Sequence, residues 1–228
     1  MIRALIFDFN GVVVDDEPVH FQLFQKTLEA EGIALDQKDY YEKYLGYDDY
    51  ECFEAILKDR QKAFDAAYIE TLIQKKSKFY EEVLEEGNLF VPGVLEFIRK
   101  NSDKYFMAIV SGALRSEIVS WLEKAAIQEN FQVIIAAEDV RRSKPDPEGY
   151  EQALYLLNRD FTAPLEIIFP QECVVFEDSM WGLQAAHEAK MRRVGVSTSY
   201  PSEQLKDAEF VVGHFLDLTM EKLLEKLG

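Results

Sequence analysis

The sequence predicts an α/β protein in which a doubly wound, Rossmann-like parallel sheet carries an inserted, all-helical domain. Short, nearly continuous apolar runs alternate with amphipathic segments of helical period, a pattern typical of strands that helices cover on both faces. One long stretch near the N-terminus breaks this alternation because its period is helical throughout. The length agrees with this interpretation, since 228 residues are enough for one α/β domain and an inserted module.

Six apolar, β-prone runs predict the strands of the sheet. They are Ala4–Phe9, Tyr105–Ser111, Val133–Ala137, Cys173–Phe176, Arg193–Val196 and Phe210–Val212. The segments between them carry apolar residues at three- and four-residue spacing, which predicts the helices that cover the sheet. These segments are Ser116–Ala126, Glu148–Leu157 and Trp181–Lys190.

The helical stretch predicts a second domain that is inserted just after the first strand. Within it, apolar residues recur every three or four positions, beginning with Phe21 and Phe24. We therefore expect an α/β domain formed by residues 1–16 and 89–228, and a helical cap domain formed by residues 17–88. A cap that closes over the edge of the sheet would exclude water from a site there.

Composition and charge restrict the classes of partner. The formal charge of −17 argues against nucleic acids and anionic membrane surfaces, which attract basic proteins. Cys52 and Cys173 lie far apart in unlike contexts, which predicts neither a disulfide framework nor a metal pair. No apolar run reaches 18 residues, so we expect a soluble, cytoplasmic protein, as a monomer or a weak dimer.

The first strand ends in the most informative motif of the chain. An apolar run leads directly to Asp8, and Gly11 follows three residues later. Open α/β sheets bind ligands at the carboxyl ends of their strands, which is where this motif places the Asp8 carboxylate. The glycine allows the backbone to turn sharply and leaves one side of the carboxylate open. The alternative is a strand that ends in an ordinary Asp-x-Asn-Gly turn.

Later residues are predicted to reach the same edge of the sheet. Ser111 ends the second strand, before a helix whose first N–H groups favour an anion. Lys144 precedes a helix whose start is marked by prolines, and Glu177 and Asp178 end another strand. Taken singly, these residues fit helix caps and a surface lysine.

Taken together, these side chains predict a metal-assisted phosphate site. Several carboxylates at one edge would repel one another unless a hard cation lies between them. Mg²⁺ suits this position because it binds one or two carboxylates together with phosphoryl oxygens. A lysine and a hydroxyl would complete the binding of a phosphate group.

Four motifs, in this order, resemble those of the haloacid dehalogenase superfamily, and in particular its β-phosphoglucomutase-like phosphatases. They read Asp-Phe-Asn-Gly-Val-Val-Val-Asp, Val-Ser-Gly-Ala, Ser-Lys-Pro-Asp-Pro-Glu and Val-Phe-Glu-Asp-Ser-Met-Trp-Gly-Leu-Gln-Ala-Ala. The resemblance covers almost the whole chain, including a helical cap after the first motif. It implies a phosphatase that acts on a small phosphorylated metabolite with Mg²⁺.

The resemblance also implies residue roles at the reacting centre. Asp8 would be the nucleophile that becomes an aspartyl phosphate. The Asp8 carboxylate, the backbone carbonyl of Asn10 and the Asp178 carboxylate would hold Mg²⁺, with Glu177 in a supporting role. These roles suit phosphoryl transfer, which depends on alignment and charge neutralisation.

Further residues are implied to bind the substrate. Ser111, Gly112 and Lys144 would hold the transferring phosphoryl group, and His20 and Gly46 would approach the substrate from the cap. His20 is also a candidate for relaying a proton. The alternative for His20 is a histidine that packs within a cap helix.

Asn10 departs from the family pattern. The family's phosphatases carry a second aspartate at this position, which acts as an acid toward the leaving group and then as a base toward water. An amide cannot exchange a proton in this way, and losing a general acid–base group costs about 10²–10⁴-fold in rate. Three explanations stay open: a natural variant with weak or altered turnover, a variant made to trap a complex, and a protein that binds without hydrolysing.

The cap loop departs from the pattern of the mutases, which carry basic residues there for a second phosphate. Here residues 44–50 read Tyr-Leu-Gly-Tyr-Asp-Asp-Tyr, and acidic groups would repel a bisphosphorylated sugar. We therefore expect a monophosphate phosphatase. The alternatives are a phosphosugar mutase, a non-catalytic phosphate-ester-binding protein and a metal-free 2-haloacid dehalogenase, the last of which would leave the acidic pair Glu177-Asp178 without a partner.

Overall fold

The structure is a computed structural model that describes residues 1–45, 47–86, 89–163, 166–216 and 218–228. The chain divides into two compact units. An α/β unit consists of Met1–Asp15 and Leu89–Gly228, and a helical unit consists of Asp16–Asn88.

The described residues of the α/β unit form six strands in one sheet. These are β1 (Ala4–Phe7), β2 (Phe106–Val110), β3 (Val133–Ile135), β4 (Cys173–Glu177), β5 (Arg192–Val196) and β6 (Phe210–Val212). All neighbouring strands are parallel, and their order is β3-β2-β1-β4-β5-β6. The predicted doubly wound parallel sheet is therefore confirmed, with β1 at its centre.

Helices of different lengths lie between the strands and in the helical unit of the described chain. They are α1 (Glu17–Glu29), α2 (Gln37–Asp39), α3 (Asp49–Asp59), α4 (Ala66–Glu86), α5 (Val94–Asn101), α6 (Arg115–Lys124), α7 (Glu148–Asp160), α8 (Met180–Glu188) and α9 (Met220–Leu227). A π-helical turn covers Tyr40–Tyr44, and short 3₁₀ turns cover Gln128–Asn130, Ala137–Asp139 and Pro170–Glu172. Within the described ranges, no helix is both long enough and apolar enough to cross a membrane.

Strand β1 is shorter than its apolar run predicts. The run continues to Phe9, but the strand ends at Phe7. The backbone N–H groups of Val13 and Val14 both donate to the carbonyl oxygen of Phe9, which folds the chain back on itself. This turn sets Asp8 at the point where the chain leaves the sheet.

The two faces of the sheet bury different kinds of side chain. On one face, small residues such as Ala108 of β2 and Ala185 of α8 pack with Tyr150 of α7. On the other face, the rings of Phe7 and Phe176 stack with centroids 4.9 Å apart, and further phenylalanines surround them. Burying one such ring stabilises the fold by about 1.5–3 kcal/mol, so this packing stabilises β1 and β4, whose ends carry Asp8 and Glu177.

The helical unit has its own core. Helix α4 packs against α1 and α3. The rings of Phe24 and Phe53 lie edge to face with centroids 4.9 Å apart, and Leu28 and Leu72 are fully buried. The apolar spacing that predicted these helices therefore lies on their buried faces.

Candidate active site

Asp8 lies at the carboxyl end of the central strand. Its backbone N–H donates to the carbonyl oxygen of Phe176 over 3.0 Å, so pairing with β4 holds its backbone in place. Its side chain is buried, with 8% of the residue exposed. The two neighbouring strands, β2 and β4, bring Ser111, Glu177 and Asp178 to the same edge.

Gly11 makes room for the acidic pair that follows β4. Its φ of +74° is in the left-handed region, which favours glycine. A Cβ atom at this position would lie 2.0 Å from Oδ2 of Asp178. The turn after β1 therefore requires glycine both for its backbone conformation and for the close approach of the Asp178 carboxylate.

Lys144 links two carboxylates from different strands. Its Nζ donates to Oδ1 of Asp8 over 2.7 Å and to Oε1 of Glu177 over 2.5 Å. Helix α7 begins at Glu148, directly after Pro147, as the prolines of this segment predict. The lysine thus points into the site, and the surface-lysine alternative is wrong for it.

Glu177 is held in place by several donors. Besides Lys144, the hydroxyl of Tyr150 donates to Oε1 over 3.0 Å. The backbone N–H and the hydroxyl of Ser179 donate to Oε2 over 3.0 Å and 2.9 Å. A Cβ atom on Gly182 would lie 1.7 Å from Oε1, so this glycine is also needed for the packing of the carboxylate. These bonds leave Glu177 suited to positioning Lys144.

The carboxylates of Asp8, Glu177 and Asp178 form a buried cluster. They offer oxygen atoms that all lie within 4.8 Å of one another. Three carboxylates beside the Lys144 ammonium leave two negative charges when all are ionised, which a divalent cation would balance. Oxygen-only donors of this kind suit Mg²⁺, so the donor set fits the predicted metal.

Burial raises the pKa values of two acids in this cluster, Asp8 and Asp178. Burial is the largest cause for Asp8 and brings its pKa to about 7, with Glu177 adding to the rise and Lys144 opposing it. Burial, followed by the charges of Glu177 and Asp8, raises the pKa of Asp178 well above its ordinary value, while a hydrogen bond from Ser199 opposes this. Burial alone would lower the pKa of Lys144, but the two carboxylates outweigh it and raise that pKa. Burial therefore favours the protonated forms of Asp8 and Asp178, and a bound cation would favour their ionised forms.

Ser111 and Gly112 follow β2 at the neighbouring position of the edge. Ser111 is buried, and its hydroxyl accepts a bond of 3.1 Å from the backbone N–H of Ala113. The start of α6 is less open to an anion than the sequence predicts, because the Glu138 carboxylate already accepts from the Arg115 N–H. The roles of the Ser111 hydroxyl and of the exposed Gly112 as phosphate contacts stay predictions.

The comparisons with known proteins agree with this geometry. The family model described as haloacid dehalogenase-like hydrolase matches residues 5–196. The chain belongs to this family. A phosphorylated carbohydrates phosphatase from Thermotoga maritima is 29% identical over 201 residues, covering 85% of this chain and 84% of that protein. A β-phosphoglucomutase from Bacillus subtilis is 25% identical over 230 residues, covering 99% of this chain and 95% of the relative.

Solved structures of this family share the fold. A β-phosphoglucomutase from Clostridium difficile has a TM-score of 0.86 and 27% identity, covering 100% of this chain and 97% of the other. The resemblance to β-phosphoglucomutase-like members of the haloacid dehalogenase superfamily is thereby confirmed. The chain is thus related to both phosphatases and phosphomutases.

The remaining predicted site residues of this haloacid dehalogenase-like hydrolase are Asn10, Gly46 and His20. Asn10 is half-buried in the turn after β1, where it forms a β-bridge with Val14. Gly46 lies outside the described residues. His20 lies on α1 in the helical unit, and its role in substrate binding stays a prediction.

His20 belongs to a buried polar network. Its Nδ1 lies 2.7 Å from Nζ of Lys76, and its Nε2 lies 3.1 Å from Oδ2 of Asp16. Since an ammonium group only donates, Nδ1 is the acceptor and Nε2 carries the proton that bonds Asp16. Lys76 also donates to Asp49 over 2.6 Å, and the Tyr80 hydroxyl donates to Asp16. These bonds agree with the alternative of a packed histidine.

Three polar residues of the α/β unit's site escaped the sequence analysis. Ser199 bonds the Asp178 carboxylate, and the hydroxyl of Thr198 donates to the carbonyl oxygen of Gly11. Both follow β5, so the rule that found Ser111 at a strand end was sufficient to find them. Tyr150 lies inside α7, where an apolar helical pattern does not distinguish it from an ordinary core residue.

Replacing Lys144 with methionine should lower the free energy of unfolding of the metal-free protein by roughly 3 kcal/mol. The loss follows because Asp8 and Glu177 would stay buried without their ammonium partner. The estimate is at the low end for a buried pair because 19% of the lysine side chain is exposed. Urea unfolding in EDTA measures the change. Arg142→Met is the matched control, since the Arg142 side chain is 71% exposed. Its replacement should change the free energy of unfolding by at most about 0.5 kcal/mol. Equal losses of stability in the two variants would contradict the prediction.

Proposed function

We propose that this protein is a Mg²⁺-dependent phosphatase that hydrolyses a small phosphate monoester through an aspartyl phosphate on Asp8. The observation that carries the proposal is the buried cluster of Asp8, Glu177 and Asp178 with Lys144 bonded into it. Phosphoryl transfer requires a nucleophile, positive charge near the phosphoryl oxygens and oxygen ligands for a metal. Asp8, the Lys144 ammonium and the carboxylate oxygens of the cluster would supply these at one sheet edge.

The metal would be held by a subset of these oxygens. We assign it to the carboxylates of Asp8 and Asp178 and to the backbone carbonyl of Asn10. Glu177 would support the site indirectly, because both of its oxygens already accept hydrogen bonds. When bound, Mg²⁺ supplies charge neutralisation for the phosphoryl oxygens.

The protein's own residues would carry out the transfer. One Asp8 oxygen would attack phosphorus while the bond from phosphorus to the ester oxygen breaks and the alcohol leaves. Water would then attack phosphorus while the bond to Asp8 breaks, so the covalent intermediate divides one difficult displacement into two easier ones. The Lys144 ammonium neutralises charge on the phosphoryl oxygens. The Ser111 hydroxyl, which accepts from Ala113, still has its own proton to donate to the phosphoryl group. Gly112 offers its exposed backbone beside it.

The substrate we propose is a small phosphorylated metabolite with one phosphate. The mutases carry basic residues for a second phosphate in the cap loop. Here that loop, residues 44–50, contains no Lys or Arg. Their acidic members have structural partners, since Asp48 accepts from the Glu51 N–H and Asp49 accepts from Lys76. Tyr47 and Tyr50 are exposed on this segment. The related Thermotoga protein is named for phosphorylated carbohydrates, which is the substrate class we favour.

A phosphosugar mutase is the second candidate. The observation that favours it is the alignment of 99% of this chain with the Bacillus β-phosphoglucomutase. It predicts transfer of a phosphate group between positions of one sugar, with little release of inorganic phosphate. The acidic segment 44–50 argues for the phosphatase.

A panel of phosphate monoesters tests the proposal. We expect release of inorganic phosphate with millimolar Mg²⁺ and none with EDTA, because the carboxylates need a divalent cation to tolerate an incoming anion. The turnover should be slow, by about 10²–10⁴-fold for a site with Asn10 in place of an acid–base group. Release that is equally fast in EDTA would overturn the metal requirement, and chloride release from short 2-haloacids in EDTA would indicate a dehalogenase.

Mg²⁺ binding should strengthen as the pH rises to about 7. A carboxyl group with a raised pKa keeps its proton in the folded protein, so it contributes stability below its ordinary pKa that is lost as pH rises through about 7. Mg²⁺ must displace that proton, which weakens binding by up to about tenfold for each pH unit below this value. Calorimetry in buffers of different ionisation enthalpy should show more protons released for each Mg²⁺ bound at pH 6 than at pH 8. Affinity independent of pH would contradict the assignment.

A further inference from the structure

We propose that the two hydroxyl residues Thr198 and Ser199, which follow β5, are positioning residues for the metal-binding oxygens of this site. The inference rests on the proposed function, which assigns Mg²⁺ to the carboxylates of Asp8 and Asp178 and to the backbone carbonyl of Asn10. It concerns the contacts that hold these oxygens in place.

Strand pairing holds the first of these groups. The backbone N–H of Asp8 donates to the carbonyl oxygen of Phe176 in the neighbouring strand. Asn10 and Asp178 come after the ends of β1 and β4, in segments that leave the sheet. Their oxygens therefore need contacts from outside the strands to keep a fixed position.

The segment after β5 reaches the turn that follows β1. Strand β5 pairs with β4 so that Gly195 lies opposite Glu177, and the chain after β5 therefore extends past the end of β4. The hydroxyl of Thr198 donates to the carbonyl oxygen of Gly11. Because β4 lies between β1 and β5 in the sheet, this bond crosses the end of β4. It fixes the residue that directly follows Asn10.

Ser199 contacts the second carboxylate in the same place. It forms a hydrogen bond with the Asp178 side chain. A Cβ atom on Gly11 would lie 2.0 Å from Oδ2 of Asp178 and 2.9 Å from Oγ of Ser199, so the turn, the carboxylate and the hydroxyl are packed against one another. The two residues after β5 thus each bond one of the two segments that leave the sheet.

Hydroxyl groups suit this task because they carry no charge. A hydroxyl can orient an oxygen ligand without opposing a cation, whereas the Lys144 ammonium on Asp8 brings a positive charge of its own. Mg²⁺ is sensitive to such orientation because it requires nearly ideal octahedral geometry at short distances. Partners that orient metal ligands typically account for about 10–100-fold in metal affinity.

Calorimetric titration of the whole chain with Mg²⁺ at pH 8 tests this inference. Ser199→Ala should bind Mg²⁺ about 10–100-fold more weakly than the wild type. Thr198→Val, which removes the hydroxyl, should also bind more weakly, whereas Thr198→Ser keeps the hydroxyl and should bind as the wild type does. Ser197→Ala is the matched control and should leave the affinity unchanged, because the Ser197 hydroxyl bonds the carbonyl oxygen of Val212 over 3.4 Å. Circular dichroism checks that each variant is folded.

Urea unfolding in EDTA separates a positioning role from a structural one. Hydroxyls that only stabilise the fold would lower the free energy of unfolding when removed and leave the Mg²⁺ affinity of the folded protein unchanged, which would overturn the inference. Equally weak binding by Thr198→Ser and Thr198→Val would also overturn it, because the hydroxyl would not be the cause.

The same titrations distinguish this inference from the proposed function. A wild-type protein that binds Mg²⁺, with Ser199→Ala and Thr198→Val binding it as tightly, would contradict the inference alone. If the folded wild-type protein binds no Mg²⁺, the proposed Mg²⁺-dependent function fails and the inference fails with it.

Discussion

Replacing Asp8 with asparagine should abolish Mg²⁺-dependent phosphate release, with a fall on the order of 10⁴–10⁶-fold, the scale of losing a catalytic nucleophile. The amide oxygen is a poor nucleophile and no longer carries the charge that a metal requires. Asparagine has nearly the same shape and can still accept from Lys144, so the fold should persist. Phosphate release at saturating substrate measures the effect, and intact mass reports whether a covalent group forms.

The matched control is Asp160→Asn. This carboxylate is exposed at the end of α7 and pairs with its neighbour Arg159. Its replacement should leave phosphate release unchanged. Activity of Asp8→Asn within about tenfold of the wild type would remove Asp8 from the mechanism, since removing a true nucleophile costs far more.

The sequence predicted the sheet edge well because strand ends carry a local signal. Asp8, Ser111 and Glu177 each end an apolar run, and parallel strands bring their carboxyl ends to one edge. Lys144 and Asp8 lie 136 residues apart in the sequence, yet each was predicted as a site residue from its own local motif. Their meeting follows from the parallel topology, which the alternation of strands and helices predicts.

Other features of the site depend on tertiary geometry and leave no local pattern. Tyr150 bonds Glu177 from within a helix whose sequence reads as ordinary core. The shortening of β1 depends on bonds that return to the Phe9 carbonyl, which β-propensity does not register. The Glu138 carboxylate accepts from the Arg115 N–H at the start of α6, and these two residues are far apart in the sequence. Such features depend on contacts between residues that are distant in the sequence.

Gly11→Ala should destabilise the protein and remove its affinity for Mg²⁺. A left-handed conformation costs a residue with Cβ about 1–2 kcal/mol, and forcing an atom into a packed site costs about 1–3 kcal/mol more. The added methyl group would lie 2.0 Å from the Asp178 carboxylate, so the carboxylate could not keep its present position beside the turn. Calorimetric titration with Mg²⁺ and urea unfolding measure the two effects.

Gly32→Ala separates the two causes. Gly32 has a similar φ of +70°, but a Cβ atom there would meet nothing within 4 Å. This variant should show only the conformational cost of about 1–2 kcal/mol, with Mg²⁺ binding unchanged. If Gly11→Ala binds Mg²⁺ as tightly as Gly32→Ala does, the close approach of Asp178 is not needed for the metal. Loss of binding in Gly11→Ala alone would mean that the fold places glycine after β1 chiefly to admit the second carboxylate, because backbone strain is common to both variants.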